Sequence, residues 1–215
     1  MKTSALPVPL PAIDQSRTAL IVVDVQNGFC AGGGLPVPDG DEVVPVVNLL
    51  ARSFERVVLT QDWHPAGHVS FARSHPGRQP FETITLPYGE QVLWPVHCVQ
   101  GTPDAEFHPD LVVPHAQLVV RKGWHAQVDS YSAFTEADGH TTTGLAAYLR
   151  AHAIDHVFVC GLATDFCVAW TAIDARKAGL SVTVYEPACR AIDAQGSLAR
   201  AWADMLAAGV LRLAA

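Results

Sequence analysis

The sequence predicts an α/β fold, a doubly wound three-layer α/β/α sandwich with a mostly parallel sheet. Three observations lead to this fold class. Short aliphatic runs alternate along the chain with segments of helical periodicity, as expected when helices connect parallel strands. Several of these runs are continuously apolar, which is typical of strands buried on both faces. With 215 residues, 49% of them hydrophobic, the chain can build one large core.

The individual elements follow from apolar runs and from apolar residues spaced three and four apart. The predicted strands are residues 18–24, 57–60, 118–121, 156–159, 180–185 and 210–213. The predicted helices are residues 41–54, 143–153, 168–177 and 194–207. In the third helix, Val168, residues 170–172 and Ala175 are expected to form one apolar face.

These elements predict a single domain over residues 18–215. Prolines interrupt the first 17 residues, so residues 1–17 are expected to form a loose N-terminal arm and not a secretion signal. An insertion over about 61–102 has no strong periodicity. Loops of this length are uncommon unless they are functional or disordered, and the aromatic and aliphatic residues of this one favour order.

Composition excludes several classes of partner. The formal net charge is −7 and there is no basic run, which argues against nucleic acid and anionic membranes. The apolar runs are too short to span a membrane. Five cysteines without compact spacing do not form a disulfide framework, so we expect free thiols and a cytoplasmic protein.

Three predicted strands lead into reactive side chains, which are Asp24, Lys122 and Cys167. The carboxyl ends of parallel strands meet at one edge of a sheet, so the three could share a pocket. A carboxylate can accept the proton of a thiol, and an ammonium group or a helix start can favour the thiolate. The alternatives are a structural Asp24–Lys122 ion pair and an inert core cysteine.

A second group consists of Asp62, His64 and His97. Two imidazoles and a carboxylate suit one divalent metal ion, with Zn²⁺ as the first choice and Fe²⁺ or Mn²⁺ as alternatives. His68 could be a fourth ligand, an outer donor or part of the pocket wall. The simpler alternative for each histidine is a surface residue, and that interpretation is kept for the others: His75, His108, His115, His125, His140, His152 and His156.

Five motifs together carry a family resemblance. They are residues 24–30 (DVQNGFC), 61–65 (QDWHP), 94–98 (WPVHC), 122–123 (KG) and 161–168 (GLATDFCV). In this order they resemble the nicotinamidases of the isochorismatase-like cysteine hydrolase superfamily, over roughly residues 18–213. The resemblance implies a Rossmann-like, isochorismatase-like hydrolase fold. It also implies hydrolysis of nicotinamide, and of pyrazinamide, through a thioester, as part of NAD salvage.

The resemblance implies roles for the residues as well. Asp24, Lys122 and Cys167 match the catalytic triad, and Asp62, His64 and His97 match the metal ligands. The remaining matches are an oxyanion hole formed by the N–H groups of Ala163 and Cys167, a cis peptide at Leu162–Ala163, and three substrate-binding residues, Phe29, Trp94 and Tyr131. The partner is then a small molecule, and a homo-oligomer is left open.

Two positions depart from the family pattern. Gly28 stands where an aspartate is usual, and Phe166 stands where a tyrosine is frequent. Other functions compete with the one implied. An amidase for carbamoyl or ureido compounds would generally lack the metal histidines, and an isochorismatase would lack the cysteine. A non-catalytic relative would not need the triad, and a cysteine phosphatase or redox protein would need an arginine cluster or a Cys-x-x-Cys motif.

Overall fold

The computed structural model describes residues 5–214, which form a six-stranded parallel sheet and a separate two-stranded hairpin. The order of the strands across the sheet is β5-β2-β1-β6-β7-β8, and β3 pairs with β4 in the hairpin. The strands are β1 (Thr18–Val23), β2 (Val57–Asp62), β3 (Thr83–Leu86), β4 (Gly89–Val92), β5 (Leu118–Lys122), β6 (His156–Leu162), β7 (Ser181–Arg190) and β8 (Leu211–Leu213).

The connections between parallel strands produce the layers. The chain runs from β1 outward to β2 and β5, and then returns to β6 and continues in the opposite direction to β7 and β8. Right-handed crossovers therefore put α1 on one face of the sheet and α3 and α4 on the other. The helices are α1 (Val43–Ala51), α2 (Leu145–Ala151), α3 (Ala169–Lys177) and α4 (Ser197–Ala207). The predicted fold class is confirmed.

The sheet centre is apolar because its strands are covered on both faces. All six residues of β1 are buried, and so are the last six of β6. The chain adds β2 and β5 on one side of β1, and it later adds β7 and β8 on the far side of β6. The topological switch point of the sheet therefore lies between β1 and β6. Ligands of open α/β sheets bind at the carboxyl ends of the strands that flank such a point.

The expected irregular insertion contains regular structure, because β3 and β4 form an antiparallel hairpin inside it. Each strand has only four residues, and the hairpin is largely exposed. Segments this short and this polar have weak periodicity.

Two strands of the sheet are longer than expected. The strand expected over residues 156–159 continues to Leu162, and the one expected over 180–185 continues to Arg190.

The apolar face expected for the third helix is partly wrong. Trp170 is 48% exposed, whereas Val168, Thr171 and Ala175 are buried. A π-helical turn, Thr164–Val168, precedes α3. The buried residues keep a spacing of three and four, and Trp170 lies outside that stripe.

The N-terminal arm is attached to the sheet through Tyr185 of β7, among other contacts. The Tyr185 hydroxyl donates to the Val8 carbonyl at 2.6 Å and accepts from the Val8 N–H at 3.1 Å. Val8 is buried there, while residues 1–4 of the expected loose arm lie outside the described range. No helix within residues 5–214 has the length and apolarity needed to cross a membrane.

Candidate active site

The candidate site forms where four neighbouring strands end. Asp24 follows β1, Asp62 and Lys122 are the last residues of β2 and β5, and the turn containing Cys167 follows β6. Because β5, β2, β1 and β6 are adjacent in the sheet, these side chains converge at the switch point.

Asp24, Lys122 and Cys167, called the triad below, are in direct contact through the lysine. Lys122 Nζ lies 2.8 Å from Asp24 Oδ2 and 3.3 Å from Cys167 Sγ. It also forms an ion pair with Asp62 and donates to the Ser130 carbonyl at 3.1 Å. The three triad side chains are buried. The structure therefore brings the three side chains together, and Cys167 is the one that lines the adjoining pocket.

Burial and charge have opposite effects on these groups. Burial opposes the charge on Lys122, but the two aspartates beside it hold the pKa of its ammonium well above the ordinary value. Burial raises the pKa of Asp24, with Lys122 opposing the rise. Burial disfavours the charge on Asp62 too, yet Lys122 and His64 hold its pKa well below the usual range. Lys122 is thus charged and lies between two different carboxylates. Asp24 binds a proton more readily than an ordinary aspartate, and Asp62 binds one less readily.

Asp24 is held so that one oxygen stays available. Its Oδ1 accepts from the Thr60 hydroxyl at 2.6 Å. Its Oδ2 is in contact with Lys122 but accepts no aligned hydrogen bond among residues 5–214. A carboxylate oxygen of Asp24 lies within 4.8 Å of Cys167 Sγ. This carboxylate can accept a proton from the thiol.

The position of Cys167 at a helix start is expected to favour its thiolate, but burial has the opposite effect in this site. Burial raises the pKa of this thiol well above its ordinary value, and Lys122 offsets only part of the rise. Cys167 lies within the π-helical turn and is buried, so its thiol is surrounded by protein and not by solvent. Forming the thiolate therefore requires a proton acceptor inside the site.

The turn before Cys167 provides a free backbone donor. The Leu162–Ala163 peptide is cis, as the resemblance implies. The Ala163 carbonyl accepts from the N–H groups of Phe166 and Val168, each at 3.1 Å, whereas the Ala163 N–H has no acceptor within residues 5–214. A backbone N–H left unpaired beside a thiol can bind an oxyanion.

Asp62, His64 and His97, called the buried cluster below, lie beside the triad. One ligand atom from each lies within 4.8 Å of the others, and all three side chains are buried. Asp62 Oδ2 is 3.4 Å from His64 Nε2 and 3.8 Å from His97 Nε2. Burial opposes protonation of His64, but Asp62 raises its pKa overall.

The backbone orients both imidazoles of the buried cluster. His64 Nδ1 lies 2.8 Å from the Gly123 carbonyl, and His97 Nδ1 lies 2.8 Å from the Pro95 carbonyl. Each Nδ1 therefore carries a proton, so in the neutral ring each Nε2 lone pair is free to bind an ion held together with Asp62. Such outer hydrogen bonds are a regular feature of metal-binding histidines. This donor set fits a divalent ion such as Zn²⁺.

His68, which the sequence left open, packs beside the buried cluster. Its Nδ1 is 2.7 Å from the Ser70 hydroxyl and its Nε2 is 3.2 Å from the Val128 carbonyl, so both nitrogens have partners. Burial and the neighbouring His64 lower its pKa to about 4. The His68 and His64 rings are 4.3 Å apart, which suits a neutral packing partner.

Cys167 of the triad and all three residues of the buried cluster line one pocket. Phe29, Trp94 and Tyr131, the expected substrate-binding residues, all line it. Its free volume is about 20 Å³, which is the space of about one water molecule. Tyr131 and Phe166 also line an outer groove of about 860 Å³, which makes them the boundary between the groove and the pocket.

Sequence reasoning missed several pocket residues. Leu35, Asp129 and Ile192 line the pocket and belong to no motif that was assigned a role. Asp129 accepts from Gln91 Nε2 at 2.7 Å, a bond from the hairpin that the sequence did not predict. The only available signal was its position next to Ser130 and Tyr131.

The fold and this pocket define a hydrolytic α/β enzyme. The chain belongs to the isochorismatase family, since the model of the isochorismatase domain matches residues 18–214.

Three known proteins illustrate the relationship. A nicotinamidase of Acinetobacter baylyi is 62% identical over 198 residues, which cover 92% of each chain. A solved nicotinamidase/pyrazinamidase of Acinetobacter baumannii has a TM-score of 0.91 at 62% identity and covers 92% of this chain and 96% of its own. A pyrazinamidase of Pyrococcus horikoshii, solved in complex with zinc, has a TM-score of 0.74 at 36% identity and covers 91% and 98%.

Proposed function

We propose that this chain is a metal-dependent nicotinamidase that hydrolyses nicotinamide to nicotinate and ammonia, and also accepts pyrazinamide. One observation carries the proposal: a buried thiol, in contact with the Lys122 ammonium and near the Asp24 carboxylate, lines a pocket together with two oriented imidazoles and aromatic side chains. The likeness to nicotinamidases and pyrazinamidases supports the same substrates. A role in NAD salvage follows from this activity.

The buried cluster is proposed to hold one divalent cation, with Zn²⁺ as the first choice and Fe²⁺ or Mn²⁺ as alternatives. The oriented Nε2 atoms and the low pKa of Asp62 support this assignment. A cation with three protein ligands supplies an open coordination position, which suits the pyridine nitrogen of the substrate. Phe29, Trp94 and Tyr131 are proposed to enclose the ring.

Cys167 is the proposed nucleophile and Asp24 its base. Asp24 takes the thiol proton, since burial raises its pKa and its carboxylate is near Sγ. The sulfur electron pair then forms a bond to the carboxamide carbon, and the carbonyl π pair moves to oxygen. Lys122 remains protonated 3.3 Å from Sγ and stabilises the anionic sulfur. The N–H groups of Ala163 and Cys167 are the proposed oxyanion hole.

The intermediate breaks down in two stages. Asp24 returns the proton to the amide nitrogen, the C–N bond breaks, and ammonia leaves a thioester on Cys167. Asp24 then takes a proton from water, whose oxygen attacks the thioester carbon. The carbonyl re-forms as the C–S bond breaks, Asp24 returns its proton to the Cys167 sulfur, and the nicotinic acid that leaves gives its remaining proton to ammonia and becomes nicotinate. The same carboxylate thus acts alternately as base and acid.

Ammonia release by the purified protein tests the proposal. Nicotinamide and pyrazinamide should be hydrolysed, and benzamide, which lacks the ring nitrogen, should react far more slowly, as should ureido compounds. Cys167→Ala should lower kcat/KM for nicotinamide at least about 1000-fold. Cys160→Ala is the matched control, since Cys160 is buried in β6 outside the pocket. Near-normal turnover by Cys167→Ala would exclude this mechanism.

A further inference from the structure

A second group of side chains that can bind a metal ion involves the segment that follows β1. Cys30 follows the short helix Asn27–Phe29, Asp41 belongs to the short helix Gly40–Glu42, and His108 comes from the segment before β5. One ligand atom from each lies within 4.8 Å of the others. They line a surface cavity of about 300 Å³. These three residues are called the rim cluster below.

The rim cluster has the donor set and spacing of a cation site. His108 Nε2 is 3.4 Å from Asp41 Oδ1, close to the ~3.3 Å between two ligands on a tetrahedral ion with bonds of about 2 Å. The Ala31 N–H donates to Asp41 Oδ2 at 2.8 Å, which orients the carboxylate. Cys30 contributes a free, buried thiol at the same point.

A comparison within the chain isolates the contribution of the thiol. His140 and Asp138 also approach to 3.4 Å, but they are neighbours in sequence and the His140 side chain is 80% exposed. No cysteine joins them, and they belong to no donor group found within residues 5–214. The rim cluster instead combines three donor types from three separate segments around a cavity.

We propose that the rim cluster is a second cation site, which takes a thiolate-preferring divalent ion such as Zn²⁺ through Cys30, Asp41 and His108. On binding, the Cys30 proton leaves to solvent and the sulfur lone pair bonds to the ion. The His108 proton moves from Nε2 to Nδ1, which gives up the 3.2 Å bond from the Asp110 N–H. The fourth position is left to water.

An ion bound to the rim cluster would hold in place a loop that carries residues of the pocket. Cys30 and Asp41 bracket a loop that carries Leu35, a pocket residue, and Cys30 directly follows Phe29, another one. A bound ion would tie both ends of this loop to His108. The burial of Cys30, with Asp41 beside it, raises the pKa of its thiol to about 11.

Cobalt titration of the full-length, metal-free protein tests the site. The Cys167→Ser variant serves as background, so that sulfur-to-cobalt charge-transfer absorption does not arise at the triad. We expect two bound ions and a sulfur band that appears with the weaker one. Adding Cys30→Ser should abolish the band and leave one ion. Adding His108→Gln, at a side chain only partly buried, should weaken the second ion at least about tenfold.

The control is His140→Gln, which removes a histidine from the pair that lacks a thiol and should leave both ions unchanged. Zn²⁺ should displace the cobalt and bleach the sulfur band. One bound ion without a sulfur band in the Cys167→Ser background would overturn the proposal. So would a band that survives both Cys30→Ser and His108→Gln. Since nicotinamide hydrolysis is not measured, failure here leaves the proposed function untouched.

Discussion

The buried cluster and the rim cluster have three donors each, but they differ in how completely the fold prepares them. In the buried cluster, backbone carbonyls fix both imidazoles and Lys122 keeps Asp62 ionised. In the rim cluster, the Asp41 side chain is 46% exposed and the thiol is protonated at neutral pH. Both clusters have the same number of donors. Which of them binds an ion tightly should therefore depend on how well hydrogen bonds orient its side chains and how well neighbouring charges keep them ionised.

A shared lysine also connects the buried cluster to the triad. Asp62 shares Lys122 with Asp24, so the cluster and the triad form one continuous charged network. Within residues 5–214, no hydrogen bond or ion pair of the rim side chains reaches the triad, since their partners are one another, the Ala31 N–H and the Asp110 N–H. A change in the buried cluster should therefore alter catalysis, and a change in the rim cluster should alter mainly the loop.

The largest contrast is expected from removing one imidazole from each cluster. His97→Ala should lower kcat/KM for nicotinamide at least about 100-fold, because it removes a ligand that the proposed substrate-binding ion needs. His108→Ala should change the same constant less than about threefold. Steady-state kinetics in the presence of saturating Zn²⁺ provide the measurement. Equal losses in the two variants would contradict the division of roles.

A smaller contrast is expected from two glycines with positive φ. Gly123→Ala combines a φ of +65° with a Cβ only 2.4 Å from the His64 ring, so it should displace this imidazole. Gly32→Ala has a φ of +85° but nothing within 4 Å, so it should cost only about 1 kcal/mol of folding stability. Denaturation in urea and metal content check both variants. Full metal content in Gly123→Ala would show that His64 tolerates the displacement.

The smallest contrast concerns the pH dependence of metal affinity. Burial opposes protonation of His64 but Asp62 raises its pKa overall, so protons compete for the buried cluster as pH falls through a value above 6.5. Above that value its affinity should level off. The affinity of the rim cluster should keep rising up to about pH 11, where Cys30 loses its proton. Competition with a chelator of known affinity at several pH values measures both curves. Parallel curves would contradict the contrast.

Sequence reasoning predicted the central sheet and the main groups of the site for clear physical reasons. Buried parallel strands such as β1 have to be continuously apolar, and reactive residues at their ends have to meet at one edge of the sheet. The hairpin of β3 and β4 was missed, because its four-residue strands have too few residues for a reliable period. The exposed Trp170 was misplaced because the π-helical turn that precedes α3 was not foreseen from the residue pattern.

The two clusters differ in the same way. Asp62 and His64 are two residues apart at a strand end, and this spacing could be recognised in the sequence. Cys30, Asp41 and His108 come from three segments, and none of them stood out by itself. Their proximity depends on how the loop after β1 folds against the segment before β5.

By itself, the sequence determined the fold class, because periodicity is a local property of the chain, and it predicted the triad and the buried cluster from strand ends and from ordered motifs. Only the tertiary structure decided which groups are charged and which donors point inward. Those properties depend on burial, and on partners such as Lys122 and the Gly123 carbonyl that lie far away in sequence. The free Ala163 N–H, the paired nitrogens of His68 and the rim cluster all belong to this second category, since each results from contacts between distant segments.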